Sequence, residues 1–323
     1  MLSVPDLRPG DRVQHEFLVT EASQRAKQDG DPYWVLTLSN STGSLPTEPF
    51  WAERRAEVEG LRRGHVVQVV GEVSLYRETT RQVRVTSIRL LPPETVDVKA
   101  LLPSVGSVER FWETLDGWRR AITKPRLRAV LDLFYEDPDF RRAYEACPAA
   151  PRGHHAALGG LLQHTLEVAA IARTIARVCG ADQDLVLTGV LLHDIGKTEA
   201  YSWTGLFEHT ERGRLLGHVV LGTLMLDRRL AEVPGICTGV ERDILHHLIL
   251  SHHGHLEFGS PVMPMMLEAE VLHWADNASA KTASMAQALK AAENFLEGGN
   301  VSKSVWQLDR RRVWRGGSDW GTG

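Results

Sequence analysis

A histidine followed directly by an aspartate stands near the middle of the chain. Residues 191–197 have the sequence LLHDIGK, in which an apolar stretch leads into His193 and Asp194. We expect a helix to end at this pair, with Gly196 stopping the helix in a left-handed cap. An imidazole nitrogen and a carboxylate can bind one ion. Such mixed ligation suits Mn²⁺, Fe²⁺, Co²⁺, Ni²⁺ or Zn²⁺ better than Ca²⁺.

Histidine is concentrated around this pair, because 12 of the 14 histidines lie between His154 and His273. Such crowding favours a metal site or an acid/base site over an ordinary protein surface. One isolated His-Asp pair would be weak evidence, since chance supplies it often. Here further candidate ligands lie on both sides of the pair: His164, His218, His252, His253 and Asp276.

The composition is that of a soluble globular protein, with 43% hydrophobic and 24% charged residues among 323. No run of roughly 18 apolar residues predicts a membrane span, and the N-terminus lacks the apolar core of a signal peptide. The three cysteines lack CxxC spacing, which argues against a disulfide framework and favours the cytoplasm. A net charge of −4 means that any nucleic-acid contact must depend on local basic patches.

The elements that must position these residues fall into two classes along the chain. Segments 12–20, 33–38, 66–76 and 82–91 combine strong β-formers with intervening turn residues. About five short strands in under ~100 residues fit a small closed barrel, of which the OB-fold is the common type. Pro92 and Pro93 end this unit, because proline cannot continue a strand ladder. We therefore predict a nucleic-acid-binding barrel over residues 1–93.

Helical periodicity follows a linker at residues 94–106, and we predict an all-helical domain over residues 107–315. Residues 316–323 are predicted to form a disordered tail. The expected helices span residues 108–123, 126–135, 140–146, 160–178, 184–194, 216–231, 240–252, 268–276 and 280–296. The fold class is thus multidomain, with an all-β barrel followed by an all-α domain.

The order of histidines and aspartates resembles the HD-domain phosphohydrolase superfamily, which is all-helical. A closer resemblance is to the YhaM-type 3′→5′ exoribonucleases, in which an N-terminal OB-fold is joined to an HD domain. The matching motifs are GGLLQHTL at 159–166, GRLLGH at 213–218, LSHHG at 250–254, FGSP at 258–261 and EA at 268–269. The resemblance covers nearly the whole chain, and its combined motifs are specific. One departure is visible, because this family usually has a second acidic residue near Ser279.

The resemblance implies two divalent ions, with Mn²⁺ expected and Fe²⁺, Co²⁺, Ni²⁺ or Zn²⁺ as alternatives. It places one ion on His164, His193, Asp194 and Asp276. It places the second on His218, His252 and His253, with Asp194 bridging the two. Two such ions carry four positive charges and the two aspartates remove two, so the site would still attract a phosphodiester.

Further roles follow from the same resemblance. Asp194 and Lys197 are the expected catalytic residues, and Lys197 would contact a phosphate oxygen. The alternative for Lys197 is a cation at a helix C-terminus. His154 and His155 match a His-His pair of the family, for which substrate contact and a loop role are both open.

Aromatic and basic residues of the predicted barrel could bind a nucleic-acid strand. Stacking on bases and contacts with phosphates are the usual modes for single strands, although barrel aromatics are more often core residues. The candidates for stacking are Tyr33, Trp34, Trp51 and Tyr76, and those for phosphate contact are Arg77, Arg81 and Arg84.

The expected function is a metal-dependent 3′→5′ exonuclease acting on single-stranded RNA, with DNA as an alternative substrate. A rival enzyme is an HD phosphohydrolase acting on free nucleotides or cyclic dinucleotides, although such substrates need no strand-binding barrel. The non-enzymatic rival is an OB-type binding protein with a non-catalytic HD domain, which the full set of ligands disfavours. No membrane partner is expected, and a homo-oligomer is left open.

Overall fold

The computed structural model describes residues 2–27, 30–77, 80–153, 155–296 and 298–317, without the side chain of Glu293. The chain divides into two compact units, residues 1–104 with 203–206, and residues 105–202 with 207–323. The domain boundaries predicted at residues 93 and 107 stay proposals. His154 lies outside the described residues, as does the predicted disordered tail beyond Gly317.

The first unit is built on one antiparallel sheet with the strand order β3-β2-β1-β4-β5. The strands are β1 (Arg12–Ala26), β2 (Pro32–Asn40), β3 (Gly43–Pro46), β4 (Val66–Tyr76) and β5 (Thr80–Leu91). A parallel bridge between Thr47 and Val83 joins the end of β3 to β5 and closes the sheet. Five strands closed in this order form an OB-type barrel, so the predicted fold of this unit is confirmed.

Alternation of apolar residues explains why these strands form. On β2, the buried residues Trp34, Leu36 and Leu38 alternate with more exposed neighbours, as expected for a strand with one face in the core. β1 was predicted to end at residue 20 but continues to Ala26. A register shift between Val19 and Glu21 lets the strand bend there and remain paired with β2. A short helix, α1 (Arg55–Val58), lies between β3 and β4.

The second unit is helical, with one small hairpin of the two-residue strands β6 (Tyr201–Ser202) and β7 (Glu208–His209). Its helices are α2 (Glu109–Ala121), α3 (Pro125–Tyr135), α4 (Pro138–Ala146), α5 (Gly160–Cys179), α6 (Gln183–Leu192), α7 (Lys197–Ala200), α8 (Glu211–Glu232), α9 (Gly239–Ser251) and α10 (Leu267–Lys290). Short 3₁₀ turns occur in both units. Those of the first unit span Ala52–Arg54, Pro93–Thr95 and Val98–Leu101, and those of the second span Leu256–Phe258, Ala292–Asn294 and Trp306–Leu308.

Helix α6 is the centre of this unit. Its residues from Val186 to Leu192 are all buried, and it packs against α5, α10, α3 and α9. A helix that is apolar on every side must be covered by neighbours. The side chain of Asp182 accepts hydrogen bonds from the first amides of α6 and fixes where the helix starts. The residues that follow Leu192 are therefore delivered to the interior of the unit.

The predicted boundaries of two of the observed helices, α10 and α8, were wrong. The segments predicted separately at 268–276 and 280–296 form one helix, α10, which ends at Lys290. No glycine or proline interrupts residues 267–290, and alanine is the strongest helix former, so the helix continues. Helix α8 begins at Glu211 rather than at residue 216, and Gly217 kinks it with a φ of 73°. None of the described helices is both long enough and apolar enough to cross a membrane.

Candidate metal centre

The seven predicted ligands are brought together in the second unit by five helices. His164 lies on α5, His218 follows the kink in α8, and Asp276 lies on α10. His193 and Asp194 directly follow α6. His252 and His253 follow α9. His164, His193, Asp194 and His252 are buried, with Asp194 only 1% exposed, whereas His218, His253 and Asp276 are partly exposed.

One group of ligands surrounds one oxygen of Asp194. Its Oδ2 atom lies 3.1 Å from Nε2 of His193 and 3.5 Å from Nε2 of His164. The carboxylate of Asp276 closes the group, with Oδ1 3.0 Å from Nε2 of His164. Donor atoms of His164, His193 and Asp276 all lie within 4.8 Å of one another, which is the spacing of a potential ion site.

A second group faces the other oxygen of Asp194. Its Oδ1 atom lies 3.4 Å from Nε2 of His218 and 3.8 Å from Nε2 of His252. His253 completes this group, and donor atoms of the three histidines lie within 4.8 Å of one another. The two oxygens of one carboxylate therefore point at two separate sets of ring nitrogens. This is the geometry that a bridging ligand requires.

The hydrogen bonding of these atoms fits cations. Among the described residues, Nε2 of His193, His218 and His252 and Oδ1 of Asp194 are buried without a hydrogen-bond partner. Each buried unsatisfied polar group costs about 1–3 kcal/mol, and native proteins rarely leave several together. Donor atoms of this kind, converging on two points, are satisfied when each point holds a divalent ion.

The opposite ring nitrogens fix how three of the histidines are turned. Nδ1 of His193 lies 2.6 Å from the carbonyl oxygen of Val190, and Nδ1 of His252 lies 2.7 Å from that of Ile249. Nδ1 of His253 lies 2.7 Å from the carbonyl oxygen of Phe258. Because a carbonyl oxygen only accepts, each Nδ1 must carry the proton. Each Nε2 then presents a lone pair to the site.

His164 is held differently, through a serine and a glutamate. Its Nδ1 atom lies 3.2 Å from Oγ of Ser279, which in turn donates to Oε2 of Glu167 at 3.1 Å. Glu167 lies three residues after His164 on α5. The YhaM-type family usually has an acidic residue near position 279. Here Glu167 supplies a carboxylate at that place, through its hydrogen bond with Ser279. The sequence alone gave no sign of this partner, because Glu167 is distant from Ser279 along the chain.

His155 also belongs to this network. Its Nε2 atom lies 2.8 Å from Oε2 of Glu167, and its φ of 52° places it in a left-handed turn. Among the described residues, those that line the metal-site cavity do not include His155. The arrangement favours the loop role that the sequence left open over direct substrate contact.

Burial sets the protonation of the imidazoles. It lowers the pKa of His218 to about 3 and the pKa of His252 well below its ordinary value, so both rings are neutral near pH 7. Burial would by itself raise the pKa of Asp194, but the neighbouring His193 and the charge of Lys197 hold it well below its usual range. The site thus offers neutral nitrogen donors around an ionised carboxylate.

Lys197 is a buried cation at the start of α7, and its Nζ atom lies 2.6 Å from Oδ2 of Asp194. Burial by itself lowers the pKa of this amine. The charge of Asp194, with smaller effects of other neighbouring groups, raises that pKa, so it lies above its ordinary value. The contact of its ammonium with the Asp194 carboxylate favours a role at the site over that of a cation at a helix C-terminus. Its side chain lines the cavity, as the phosphate-contacting role requires.

The cap predicted at Gly196 was wrong. The φ of Gly196 is −64°, in the ordinary right-handed region. Its lack of a side chain serves another purpose, since a Cβ atom there would clash with the carbonyl oxygen of His218 and the amide nitrogen of Gly222. Glycine therefore lets the backbone after Asp194 touch α8. This close approach brings His218 to the carboxylate.

A cavity of about 350 Å³ opens onto the centre. Tyr201, Asn277 and Lys281 line it together with ligands of both groups, and sequence reasoning did not select these three. The only available signal was their proximity in sequence to Lys197 and Asp276.

The barrel contains a separate cavity of about 950 Å³. Three of the predicted stacking residues line it, Tyr33, Trp51 and Tyr76, and two cations that the sequence analysis missed, Arg25 and Lys27, lie beside them. The rings of Tyr33 and Trp51 are 5.3 Å apart, and the Lys27 ammonium lies 4.4 Å from the Trp51 ring. These side chains form a surface on which bases could stack.

The other predicted barrel contacts have different surroundings. Trp34 is only 9% exposed and packs in the barrel core, so we remove it from the stacking set. Arg81 donates to the carbonyl oxygens of three residues near the N-terminus, which accounts for it without a substrate. Arg84 pairs with Glu48 at 3.3 Å, and Arg77 lies 5.1 Å from the ring of Tyr76. Arg77 is the arginine of this set that stays beside the aromatic surface.

The comparison with known proteins agrees with this architecture. The family model described as HD domain matches residues 161–281, a span that contains all seven ligands. The chain is 28% identical over 309 residues to the 3′-5′ exoribonuclease YhaM of Bacillus subtilis, covering 95% of each protein. It is 29% identical over 318 residues to YhaM of Bacillus licheniformis, again covering 95% of each.

A solved domain of replication protein A from Methanococcus maripaludis matches 28% of this chain and 93% of that domain. The identity is 19% and the TM-score is 0.24.

Substitutions at the two groups should change the number of bound ions in different ways. The wild type should hold about two ions per chain, and His218→Ala about one, because it loses a ligand of the second group only. Asp194→Asn should hold fewer than the wild type, since the shared negative charge is removed. Elemental analysis of the purified proteins measures this, with His65→Ala in the barrel as a control that should keep both. A wild type that saturates at one ion, with His218→Ala fully active, would establish a mononuclear centre.

The serine between His164 and Glu167 should tune metal affinity. Ser279→Ala removes the partner that orients the His164 ring, so affinity for the tightest-bound ion should fall by roughly 10- to 100-fold. Competition with a chromogenic chelator measures this change. Thr282→Ala, on the same helix and bonded only to that helix, is the matched control. Equal chelator curves for Ser279→Ala and the wild type would show that the ring is held without the serine.

Proposed function

We propose that this protein is a metal-dependent exonuclease that removes nucleotides from the 3′ end of single-stranded RNA. The observation that carries the proposal is the Asp194 carboxylate, whose two oxygens face two separate histidine groups. Such a paired centre suits hydrolysis of a phosphodiester bond. Relatives that match 95% of the chain are named 3′-5′ exoribonucleases, which supports the choice of substrate and direction.

The proposed metal sites follow the two groups. His164, His193, Asp194 and Asp276 would hold one ion, and His218, His252 and His253 the other, with Asp194 shared. When bound, such ions supply Lewis acidity toward phosphate oxygens and lower the pKa of a water molecule. Mn²⁺ is our choice, because the mixed nitrogen and oxygen donors suit it, as they suit Fe²⁺, Co²⁺, Ni²⁺ and Zn²⁺.

The chain's own residues bind and orient the substrate. Lys197 is charged and lines the cavity, so an N–H of its ammonium that Asp194 does not occupy can donate to a phosphate oxygen. Asn277 and Lys281 offer further donors at the same opening. The cavity of about 350 Å³ is at the small end of ligand sites, which run from about 300 to 1,000 Å³. This size suits one terminal nucleotide, as an exonuclease requires.

The barrel would bind the strand rather than act on it. Tyr33, Trp51 and Tyr76 offer faces for stacking, and Arg25 and Lys27 offer charges for phosphates. A free nucleotide or a cyclic dinucleotide would have no use for a separate surface of this kind. DNA as a second substrate, a homo-oligomeric state and a cytoplasmic location stay predictions.

Exonuclease activity should appear as stepwise shortening. A 5′-labelled single-stranded RNA incubated with Mn²⁺ should give a ladder of products, and a 3′-labelled strand should lose its label first as a mononucleotide. A chelator should stop both reactions, and Asp194→Asn should be slower by orders of magnitude, because activation of water depends on the ions. Hydrolysis of mononucleotides or cyclic dinucleotides with the RNA left intact would instead identify the rival enzyme.

The barrel surface should contribute affinity and not chemistry. Trp51→Ala in the full chain removes one stacking face worth about 1–3 kcal/mol, so KM for a long RNA should rise roughly 5- to 150-fold. Hydrolysis of bis-p-nitrophenyl phosphate, which is too small to need the barrel, should not change. Trp51→Phe keeps a ring and should retain most of the affinity. An unchanged KM for long RNA in Trp51→Ala would remove the barrel from substrate binding.

A further inference from the structure

A second cavity in the helical unit, of about 600 Å³, borders the one at the metal centre. The two cavities share Ala280 and Lys281 on α10 as lining residues. The other lining residues come from the loop before α5, from α10 itself and from the segment after α10. The residues that matter here are Arg152, Ser284, Trp306, Asp309 and Arg310.

The segment after α10 is an ordered hairpin that presents Trp306. The amide of Ser302 donates to the carbonyl oxygen of Val313 at 2.8 Å, and that of Val305 donates to Arg311 at 2.9 Å. Val305, Leu308 and Val313 are buried in a small core, whereas Trp306 is 74% exposed. A tryptophan held outward by a fixed backbone, at the edge of a cavity, is a ready stacking surface.

The charge of this region favours a polyanion. Residues 298–317 contain five cationic side chains, Lys303, Arg310, Arg311, Arg312 and Arg315, and one carboxylate, Asp309. That carboxylate is paired with Lys281 at 2.7 Å. Within the part of the chain that the structure describes, Arg152 and Arg310 make no ion pair. Two cations beside an exposed ring are the usual elements of a single-strand site.

Helix α10 connects this cavity to the chemistry. Asp276, Ala280 and Ser284 are four residues apart and share one face of the helix. Asp276 lines the metal-site cavity and Ser284 lines the second cavity, with the small Ala280 between them lining both. Eight residues span ~12 Å along a helix, which is about three or four nucleotides at ~3.4 Å per stacked nucleotide.

We propose that this second cavity binds the nucleotides immediately 5′ of the terminal one in single-stranded RNA. Trp306 stacks on a base, and Arg152 and Arg310 contact the phosphates on either side of it. The direction of the strand rests on the proposed exonuclease function, whereas the binding itself does not. Among the described residues the cavity presents one aromatic ring, three cations and one carboxylate, which is paired with Lys281. The ring favours a strand over an acidic peptide, because a peptide would gain nothing from stacking.

The test measures binding separately from hydrolysis. A 5′-fluorescein-labelled tetra-adenylate with phosphorothioate linkages, which resist hydrolysis, is titrated with full-length, Mn²⁺-loaded protein, in a Trp51→Ala background that weakens binding by the barrel. Adding Trp306→Ala should raise Kd by roughly 5- to 150-fold, the range expected for one lost base stack. Trp306→Phe should keep most of the affinity. Arg310→Ala should reduce the slope of log Kd against log salt concentration by about the amount expected for one lost phosphate contact.

Trp314→Ala is the matched control, because Trp314 is an exposed tryptophan of the same hairpin. Its ring packs against Gly316 and does not line the cavity, so its loss should leave Kd unchanged. Hydrolysis of bis-p-nitrophenyl phosphate with Mn²⁺ should be the same in Trp314→Ala as in the background protein, which shows that the control variant is folded and active.

Several results would overturn this site. These are an unchanged Kd in Trp306→Ala, an equal loss in Trp314→Ala, or equally tight binding of an RNA duplex or polyglutamate. A wild type without measurable affinity for the tetranucleotide would overturn it as well. If RNA binds through Trp306 but is never shortened with any metal, the site holds and the proposed exonuclease function fails.

Discussion

The buried carboxylate of Asp194 is the constraint on which the helical unit depends. An ionised group without solvent is strongly destabilising unless opposite charge or hydrogen bonds replace its hydration. Lys197 supplies one positive charge at 2.6 Å, but the neutral rings of His218 and His252 supply none. The Asp194 carboxylate and the lone pairs of the histidines repel each other. Divalent cations placed between them would attract both and so replace the repulsion with attraction. Metal binding and the stability of this core are therefore linked.

This constraint explains several features that serve no purpose alone. Gly196 allows backbone contact with α8, and without that contact His218 could not reach the carboxylate. The helices α6 and α9 both end where a histidine Nδ1 donates to a carbonyl oxygen three residues earlier. Those carbonyl groups lack a partner within the helix, so one hydrogen bond completes a helix end and also turns a ligand. Ligand geometry is thus built from ordinary helix termination.

The sequence predicted what local chemistry determines and missed what tertiary contacts determine. Six of the seven ligands stand in short motifs, and Asp276 followed from the order of histidines and aspartates in the resembling family. The barrel strands were predicted because apolar residues alternate with polar ones. The pattern could not distinguish a glycine needed for a positive φ from one needed for close approach, which is why Gly196 was misinterpreted. Trp34 and Trp51 are both tryptophans, and only the closed barrel places Trp34 in the core and leaves Trp51 at the surface. The hairpin that carries Trp306 lies between the last predicted helix and the predicted tail, in a stretch for which the sequence predicted no element.

Two surfaces of similar chemistry, one in each unit, support the same form of recognition. The barrel surface combines Trp51 with Lys27, and the helical unit combines Trp306 with Arg310. Rings and cations contact base faces and phosphates, which all nucleotides share, whereas sequence is distinguished by hydrogen bonds to base edges. An enzyme that removes one nucleotide after another must accept each new end. Binding of a single strand without selection for a base is what these contacts would provide.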